Sequence, residues 1–213
     1  MKKSAAVFLD FRLHAVTDSR ALASGDFYRR AGLLCSAGPA AIHLRAHGLT
    51  GGEFFRYARE LRSLTGQAGV PLIVNDRLDV ALAVQADAVH LGLRSIPLAR
   101  AAALCRRRGL LCGFSCHSPE EAARAVRDGA DYLYFGTVFP SAGKPSVEPA
   151  GTAPLGEIAR STGRPLFAIG GVTPENAPLV ARAGAFGCAA VSGLWHCQDP
   201  AAAASQYLAA FRD

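Results

Sequence analysis

Short apolar segments recur along the chain and alternate with longer stretches whose polar and apolar positions follow a helical pattern. Such segments are typical of buried parallel strands, which helices connect in α/β proteins. The predicted strands are 13–16, 41–45, 71–75, 88–91, 110–115, 132–135, 166–169 and 188–192. Eight β/α units predict an α/β fold in which a single (β/α)8 TIM barrel comprises residues 1–213.

Capping signals support the helices between these strands. Thr50 precedes Glu53 as in a capping box, and Ser118-Pro119 is followed by two glutamates in a first turn. The competing architecture is a doubly wound open sheet, whose glycine-rich fingerprint normally follows the first strand. The chain has no such fingerprint there, so the sequence favours the barrel.

The last two predicted strands both run into glycine-containing turns. Gly170 and Gly171 follow the seventh strand, and Val191, Ser192 and Gly193 end the eighth. Glycine permits a positive φ and a close approach of the backbone to a ligand, and N–H groups at a helix start can hold an anion. Turns after strands 7 and 8 often form the phosphate site of (β/α)8 barrels, so these five residues are predicted to bind phosphate.

Composition narrows the classes of function. The net charge is +6, but the arginines are scattered, and the one basic run, at 106–108, fits a helix C-terminus. We therefore predict no nucleic-acid partner. No apolar stretch approaches membrane-spanning length, and the opening of the chain leads into a short run with Asp10 and Arg12, which is a poor signal peptide. No membrane partner is expected.

The six cysteines include no Cys-x-x-Cys pair. This spacing does not predict a metal site, and reduced thiols are expected in a cytoplasmic protein. The sequence thus predicts a cytoplasmic location and no metal centre.

Polar side chains gather where the predicted strands end, which is where (β/α)8 barrels place their active sites. Alternation along the second strand puts His43 and Arg45 on the same side, pointing into the barrel mouth. Lys144 is the only lysine beyond residue 3, and it lies in a long loop rich in Gly, Pro, Ala and Ser. The predicted site residues of strands two to six are His43, Arg45, His47, Asn75, Asp76, Ser115, His117, Ser141 and Lys144.

Several strings of residues together resemble one family. They are VNDRLDVALA at 74–83, AVHLG at 88–92, GFSCHSPEEA at 113–122 and GTVFPSAGKP at 136–145, with the two glycine turns. They resemble the superfamily of thiamine phosphate synthase and thiazole tautomerase along essentially the whole chain. The resemblance implies a barrel that binds the phosphorylated thiazole half of thiamine, usually as a homodimer.

The resemblance implies one of two activities, and this chain departs from the first. The synthase joins thiazole phosphate to hydroxymethylpyrimidine pyrophosphate with Mg2+. Its second strand ends in Gln-Leu-Arg-Glu-Lys, where this chain has His43, Arg45 and His47 at the first, third and fifth positions. Ser95 stands where the synthase pattern has a metal-binding Asp, and a hydroxyl is a poor substitute for a carboxylate on Mg2+. The loop keeps Lys144 but has lost one hydroxyl of the synthase pattern.

These departures resemble the tautomerase branch, in which the second strand carries His-x-Arg and Arg-Ser follows the fourth strand, as Arg94-Ser95 does here. That enzyme aromatises a thiazole carboxylate phosphate by moving one proton. No cofactor is expected for it, and Mg2+ is expected only for the synthase. The resemblance makes His117 the predicted proton shuttle and His43 a second acid or base, or a substrate contact. Arg45 is predicted to pair with the substrate carboxylate.

Alternative interpretations stay open for several of these residues. His117 could merely cap the following helix, and His43 could be a packed barrel residue. Asn75 and Asp76 could be a helix cap or a vestige of the synthase site. The main hypothesis is a thiazole tautomerase, and its alternative is a thiamine phosphate synthase. A hypothesis of another class is a non-catalytic sensor of thiazole or thiamine phosphate.

Overall fold

Eight parallel strands close into a barrel and follow one another around it in chain order. The computed structural model describes residues 11–38 and 40–212. The strands are β1 (Leu13–Val16), β2 (Ala40–Leu44), β3 (Leu72–Asn75), β4 (Ala88–Leu91), β5 (Leu111–Cys116), β6 (Tyr132–Phe135), β7 (Leu166–Ile169) and β8 (Gly187–Ala190). The (β/α)8 TIM barrel predicted from the sequence is confirmed in these residues.

Helices follow each strand and bury their apolar faces against the barrel. They are α1 (Ser19–Leu22), α2 (Phe27–Ser36), α3 (Gly51–Ala68), α4 (Leu78–Ala83), α5 (Leu98–Arg108), α6 (Pro119–Arg127), α7 (Ala153–Thr162), α8 (Ala177–Arg182), α9 (Ser192–Trp195) and α10 (Pro200–Ala209). None of these described helices is long and apolar enough to cross a membrane. The signal-peptide prediction concerns residues 1–10, which lie outside the described part of the chain.

The strand bounds agree with the sequence prediction to within one residue, except at the end of β8. The predicted strand reaches Ser192, whereas the observed strand ends at Ala190. Val191 leaves the extended conformation, with φ −109° and ψ −84°, and Ser192 already opens α9. The turn after β8 therefore begins at Val191.

Two helix caps act as the sequence predicts. The Thr50 side chain accepts a hydrogen bond from the N–H of Glu53, and the Glu53 carboxylate accepts from the N–H of Thr50, which completes a capping box. Ser118 accepts from the N–H of Glu121 at the start of α6, and Pro119 follows it. Such caps each stabilise a helix by about 1 kcal/mol. The second cap also fixes the entry of α6 next to the end of β5.

The barrel interior is filled by a large side chain opposite a glycine. Gly113 of β5 is the register partner of Tyr132 of β6. A Cβ added at Gly113 would lie 2.6 Å from Cε1 of Tyr132 and closer still to other ring atoms. The absence of a side chain at Gly113 therefore makes the room that the Tyr132 ring occupies.

The parallel register brings the carboxyl ends of the strands to one edge. Val16 is paired with His43 across β1 and β2, and Asn75 is paired with His90 across β3 and β4. Residues at the ends of different strands, far apart in the chain, consequently meet at one mouth of the barrel.

Candidate active site

A cavity of about 1000 Å³ opens at the carboxyl ends of the strands. The structure brings every site residue predicted from the sequence to its wall: His43, Arg45, His47, Asn75, Asp76, Ser115, His117, Ser141, Lys144, Gly170, Gly171, Val191, Ser192 and Gly193. Their individual roles stay predictions. The volume lies at the upper end of the range for ligand pockets, so it admits one small substrate or two.

Positive charge dominates the cavity wall. Its cations are Arg20, Arg45, Arg94 and Lys144, and its carboxylates are Asp18 and Asp76. Asp18 is already engaged, because its carboxylate accepts from the N–H of Ala21 and lies 2.9 Å from Nε2 of His196. The excess of cations fits a ligand with more than one negative charge.

The turn after β7 lines the cavity with two glycines. Gly170 and Gly171 have φ of 90° and 68°, which favours glycine. Their N–H groups donate to no residue that the structure describes. Asn176 braces the turn, since its amide donates to the carbonyl of Gly171 and accepts from the N–H of Thr173. This turn can hold a phosphate through its N–H groups.

The glycine at 171 is needed for a reason that the sequence did not show. A Cβ there would lie 2.5 Å from the carbonyl oxygen of Phe139 and closer still to that of Pro140. The methyl group would thus strike the loop after β6 before it reached a ligand. Glycine at 171 therefore lets the loop after β7 pack against the loop after β6, and it also leaves room for a ligand to approach the backbone.

His117 is held at the rim by a carboxylate one helical turn away. Its ring is 45% exposed, and Nδ1 lies 3.2 Å from Oε2 of Glu121. The same oxygen accepts from the His117 backbone N–H at 2.8 Å. A carboxylate at Nδ1 orients the ring, and Nε2 makes no hydrogen bond within the described part of the chain. The geometry leaves Nε2 able to exchange a proton with a ligand.

Hydrogen bonds hold the backbone of Arg45 in place, whereas most of its guanidinium N–H groups have no partner among the described residues. Its N–H donates to Oγ1 of Thr17 at 2.8 Å, and its carbonyl accepts from the same hydroxyl at 2.7 Å. Nη2 lies 2.8 Å from Nε2 of His47, which therefore accepts from the guanidinium. The other guanidinium N–H groups donate to none of the described residues, so they can bind a carboxylate.

Asp76 sits on a strained backbone between two polar neighbours. Its φ is 59°, a value that Asp tolerates better than most residues. One carboxylate oxygen accepts from the Asn75 amide at 2.8 Å, and the other accepts a short hydrogen bond from the Ser95 hydroxyl. Both oxygens are thus engaged within the protein.

A buried polar cluster lies beneath this mouth, inside the barrel. It consists of His14, His43, His90, Tyr132, Tyr134 and Phe167, whose rings contact one another from five strands. Tyr134 Oη lies 2.6 Å from Nδ1 of His14 and 3.1 Å from Nδ1 of His43. His90 Nε2 lies 2.8 Å from the Ser115 hydroxyl.

Burial keeps these three histidines uncharged. Desolvation lowers the pKa of His43 to about 3, although its hydrogen bond to Asn75 partly opposes this effect. Desolvation also holds the pKa values of His14 and His90 well below the ordinary value, and the charge that His43 would carry lowers both further. His43 at neutral pH is therefore a neutral hydrogen-bonding group, which favours a positioning role over proton transfer.

The stability of the fold should fall in mild acid for this reason. The unfolded chain binds a proton at each histidine below about pH 6.5, whereas the folded chain does not, so folding loses about 1.4 kcal/mol per histidine between pH 7.5 and 5.5. The three buried histidines together predict a loss of about 4 kcal/mol in the urea unfolding free energy. His14→Phe should reduce that loss by about a third. A loss no larger than one histidine can supply would contradict the prediction.

Sequence reasoning missed three residues of this arrangement. Glu121 was interpreted only as a first-turn acid, although its spacing of four from His117 was a usable signal. His14 and Tyr134 were given no role. Strand alternation could have placed them inside the barrel, but it gives no information on which hydroxyl meets which ring.

Comparison with known proteins agrees with this fold. The family model for thiamine monophosphate synthase matches residues 13–194. A thiamine-phosphate synthase of Chloroflexus aurantiacus is 44% identical over 206 residues, which cover 95% of this chain and 94% of that protein. One from Methanocella arvoryzae is 42% identical, with 92% of each chain covered.

A solved structure gives the same result. The thiamine phosphate pyrophosphorylase from Pyrococcus furiosus superposes with a TM-score of 0.86 at 31% identity, covering 96% of this chain and 97% of that one. These names agree with the synthase alternative better than with the tautomerase hypothesis. The fold, the mouth and the similarity along nearly the whole chain lead to one conclusion: this chain belongs to the thiamine monophosphate synthase family.

Proposed function

We propose that this chain binds a phosphorylated thiazole and moves one proton on it, as a thiazole tautomerase does. The observation that carries this proposal is at Asp76, whose neighbour is the neutral hydroxyl of Ser95. The synthase pattern has a metal-binding carboxylate at that position. The Asp76 site accordingly offers less negative charge to Mg2+ than the synthase pattern does.

The other parts of the mouth match the demands of the proton transfer. The N–H groups of Gly170 and Gly171 offer a phosphate anchor. Arg45 offers a guanidinium for the carboxylate, and His117 offers Nε2 for the proton. An acid or base at the rim and fixed groups for two anions are what this reaction requires.

Mg2+ fits the residues at this mouth poorly. In proteins it is commonly held by one or two carboxylates together with substrate phosphates and water. Within the described residues no group of three or more His, Cys, Asp or Glu could hold a metal ion. The two carboxylates of the wall are both engaged within the protein: Asp18 contacts the N–H of Ala21 and His196, and both oxygens of Asp76 already accept hydrogen bonds. We therefore assign no step to a metal.

The second candidate function is the synthase itself. The names of the relatives favour it, at identities from 34% to 44% for the first three. Asp76 and Lys144, which the chain shares with the synthase pattern, also line the cavity, and the cavity is large enough for two substrates. The homodimer expected from the sequence stays a prediction, whichever of the two functions this chain has.

One pair of assays separates the two functions. The purified chain should convert the non-aromatic isomer of thiazole carboxylate phosphate to the aromatic one, with EDTA changing the rate less than about twofold, because no step needs a metal. With thiazole phosphate, hydroxymethylpyrimidine pyrophosphate and Mg2+ it should form little thiamine phosphate. Both reactions are followed by chromatography of the products.

The opposite results have clear meanings. Rapid Mg2+-dependent formation of thiamine phosphate without isomerisation would establish the synthase. Ligand binding with neither turnover would support the sensor. Ser95→Asp is the matched variant: it adds a carboxylate beside Asp76 and should strengthen Mg2+ binding in calorimetry relative to the unchanged chain.

A further inference from the structure

A continuous series of hydrogen bonds joins the barrel interior to the mouth. It runs from Nδ1 of His14 to Tyr134 Oη, from Oη to Nδ1 of His43, and from Nε2 of His43 to Oδ1 of Asn75 at 3.2 Å. The Asn75 amide then donates to Asp76 at 2.8 Å. His14, His43 and Tyr134 are at most 2% exposed.

The carboxylate at the mouth fixes the direction of every bond in this series. Ionised Asp76 only accepts, so the NH2 group of Asn75 must face it and Oδ1 of Asn75 must accept from His43. His43 therefore carries its proton on Nε2, and its Nδ1 must accept.

The direction continues into the interior. Nδ1 of His43 can accept only from the Tyr134 hydroxyl, which has a single proton to give. Tyr134 Oη must then accept from His14, which carries its proton on Nδ1. This is the one arrangement in which each bond of the series has one donor and one acceptor.

We infer that Tyr134 is a positioning residue for the active site. Its hydroxyl donates to Nδ1 of His43, and it thereby stabilises the tautomer with the proton on Nε2 that Asp76 selects through the Asn75 amide. The inference rests on the proposed function only where turnover is measured. Tyr134 does not need to touch substrate for this role.

The hydroxyl and the ring of Tyr134 have separable contributions. The ring stacks on His90 with centroids 4.0 Å apart and also contacts Phe167, and a phenylalanine retains these contacts. Tyr134→Phe removes only the donor to His43 and the acceptor for His14. Nδ1 of His43 then loses its hydrogen-bond donor and is left as a buried acceptor, so the tautomer with the proton on Nε2 loses part of its preference over the tautomer with the proton on Nδ1.

The first test uses the unchanged chain and no substrate. Two-dimensional 1H–15N spectra of labelled protein at pH 7.5 assign the protonated nitrogen of each imidazole. The inference requires the proton of His43 on Nε2 and that of His14 on Nδ1. The opposite tautomer at either residue would overturn it, whether or not the proposed function is correct.

The second test compares two variants. Tyr134→Phe should shift the His43 nitrogens toward values that report a mixture of tautomers, and it should lower kcat for isomerisation about tenfold with KM changed less than about twofold. His14→Phe is the matched control, because it changes the far end of the series, keeps a ring against Phe167 and leaves the Tyr134 hydroxyl facing His43. It should leave the His43 tautomer and kcat unchanged.

Each outcome decides the inference. A wild-type His43 tautomer together with a wild-type kcat in Tyr134→Phe would overturn it. Equal changes of kcat and of the His43 tautomer in Tyr134→Phe and His14→Phe would also overturn it, because they would indicate an effect of packing alone. If the chain lacks isomerase activity, the spectra still test the positioning of His43. If Tyr134→Phe does not fold, the tautomer of His14 in the unchanged chain still decides the inference: a proton on Nδ1 means that the Tyr134 hydroxyl donates to His43, and a proton on Nε2 alone overturns it.

Discussion

His117→Ala should lower kcat for thiazole isomerisation by about 10²- to 10⁴-fold, which corresponds to a barrier about 3–5 kcal/mol higher. The reason is that this ring is the proposed acid or base: it is partly exposed, and a carboxylate at Nδ1 orients it. KM should change little, because the proposed phosphate anchor lies at the turns after β7 and β8. Steady-state kinetics of the purified variant measures both quantities.

Glu121→Gln provides the graded companion to this substitution. The amide oxygen can still accept from Nδ1 of His117, but the charge that stabilises a protonated ring is lost. We expect an intermediate loss of about tenfold in kcat. Wild-type isomerisation by His117→Ala would contradict the assignment of His117 as the proton shuttle. The proton transfer would then have to be assigned to another group.

Gly171→Ala should both destabilise the fold and weaken the phosphate anchor. The new methyl group would strike the carbonyl groups of Phe139 and Pro140, so the loop after β6 must move. We expect the positive φ to cost about 1–2 kcal/mol and the contact about 1–3 kcal/mol more. Binding of inorganic phosphate should weaken at least about tenfold, as measured by calorimetry.

Gly163→Ala is the control for backbone strain alone. Gly163 has φ 60° against 68° for Gly171, and a Cβ there meets nothing within 4 Å. It should show only the cost of the positive φ and bind phosphate normally. Equal unfolding free energies for the two variants, with equal phosphate affinity, would contradict the role of the turn after β7.

The barrel was predictable because it depends on local pattern. Buried parallel strands have a period and a length that show in the order of apolar residues, and seven of the eight strands were placed to within one residue. The error at β8 arose because Val191 and Ser192 extend the apolar run although Ser192 starts a helix. Apolar composition alone does not mark where a strand turns into a helix.

The sequence indicated which polar residues meet at the barrel mouth, because the strand ends of a barrel converge. Their roles stay predictions. The partners were not predictable: that Ser95 faces Asp76, or that Tyr134 bridges His14 and His43, depends on side-chain directions across strands. Those directions follow from the register and tilt of the closed barrel, which a single sequence does not contain.

The pairing of Gly113 with Tyr132 has a consequence for sequence variation and for redesign. The two positions share one volume, so their sizes should covary: a larger residue at 113 requires a smaller one at 132. In a library that varies either position alone, most variants will have steric clashes or cavities in the barrel core. Exchanging both together would move side-chain volume from one strand to its neighbour inside the barrel without altering any residue that lines the cavity.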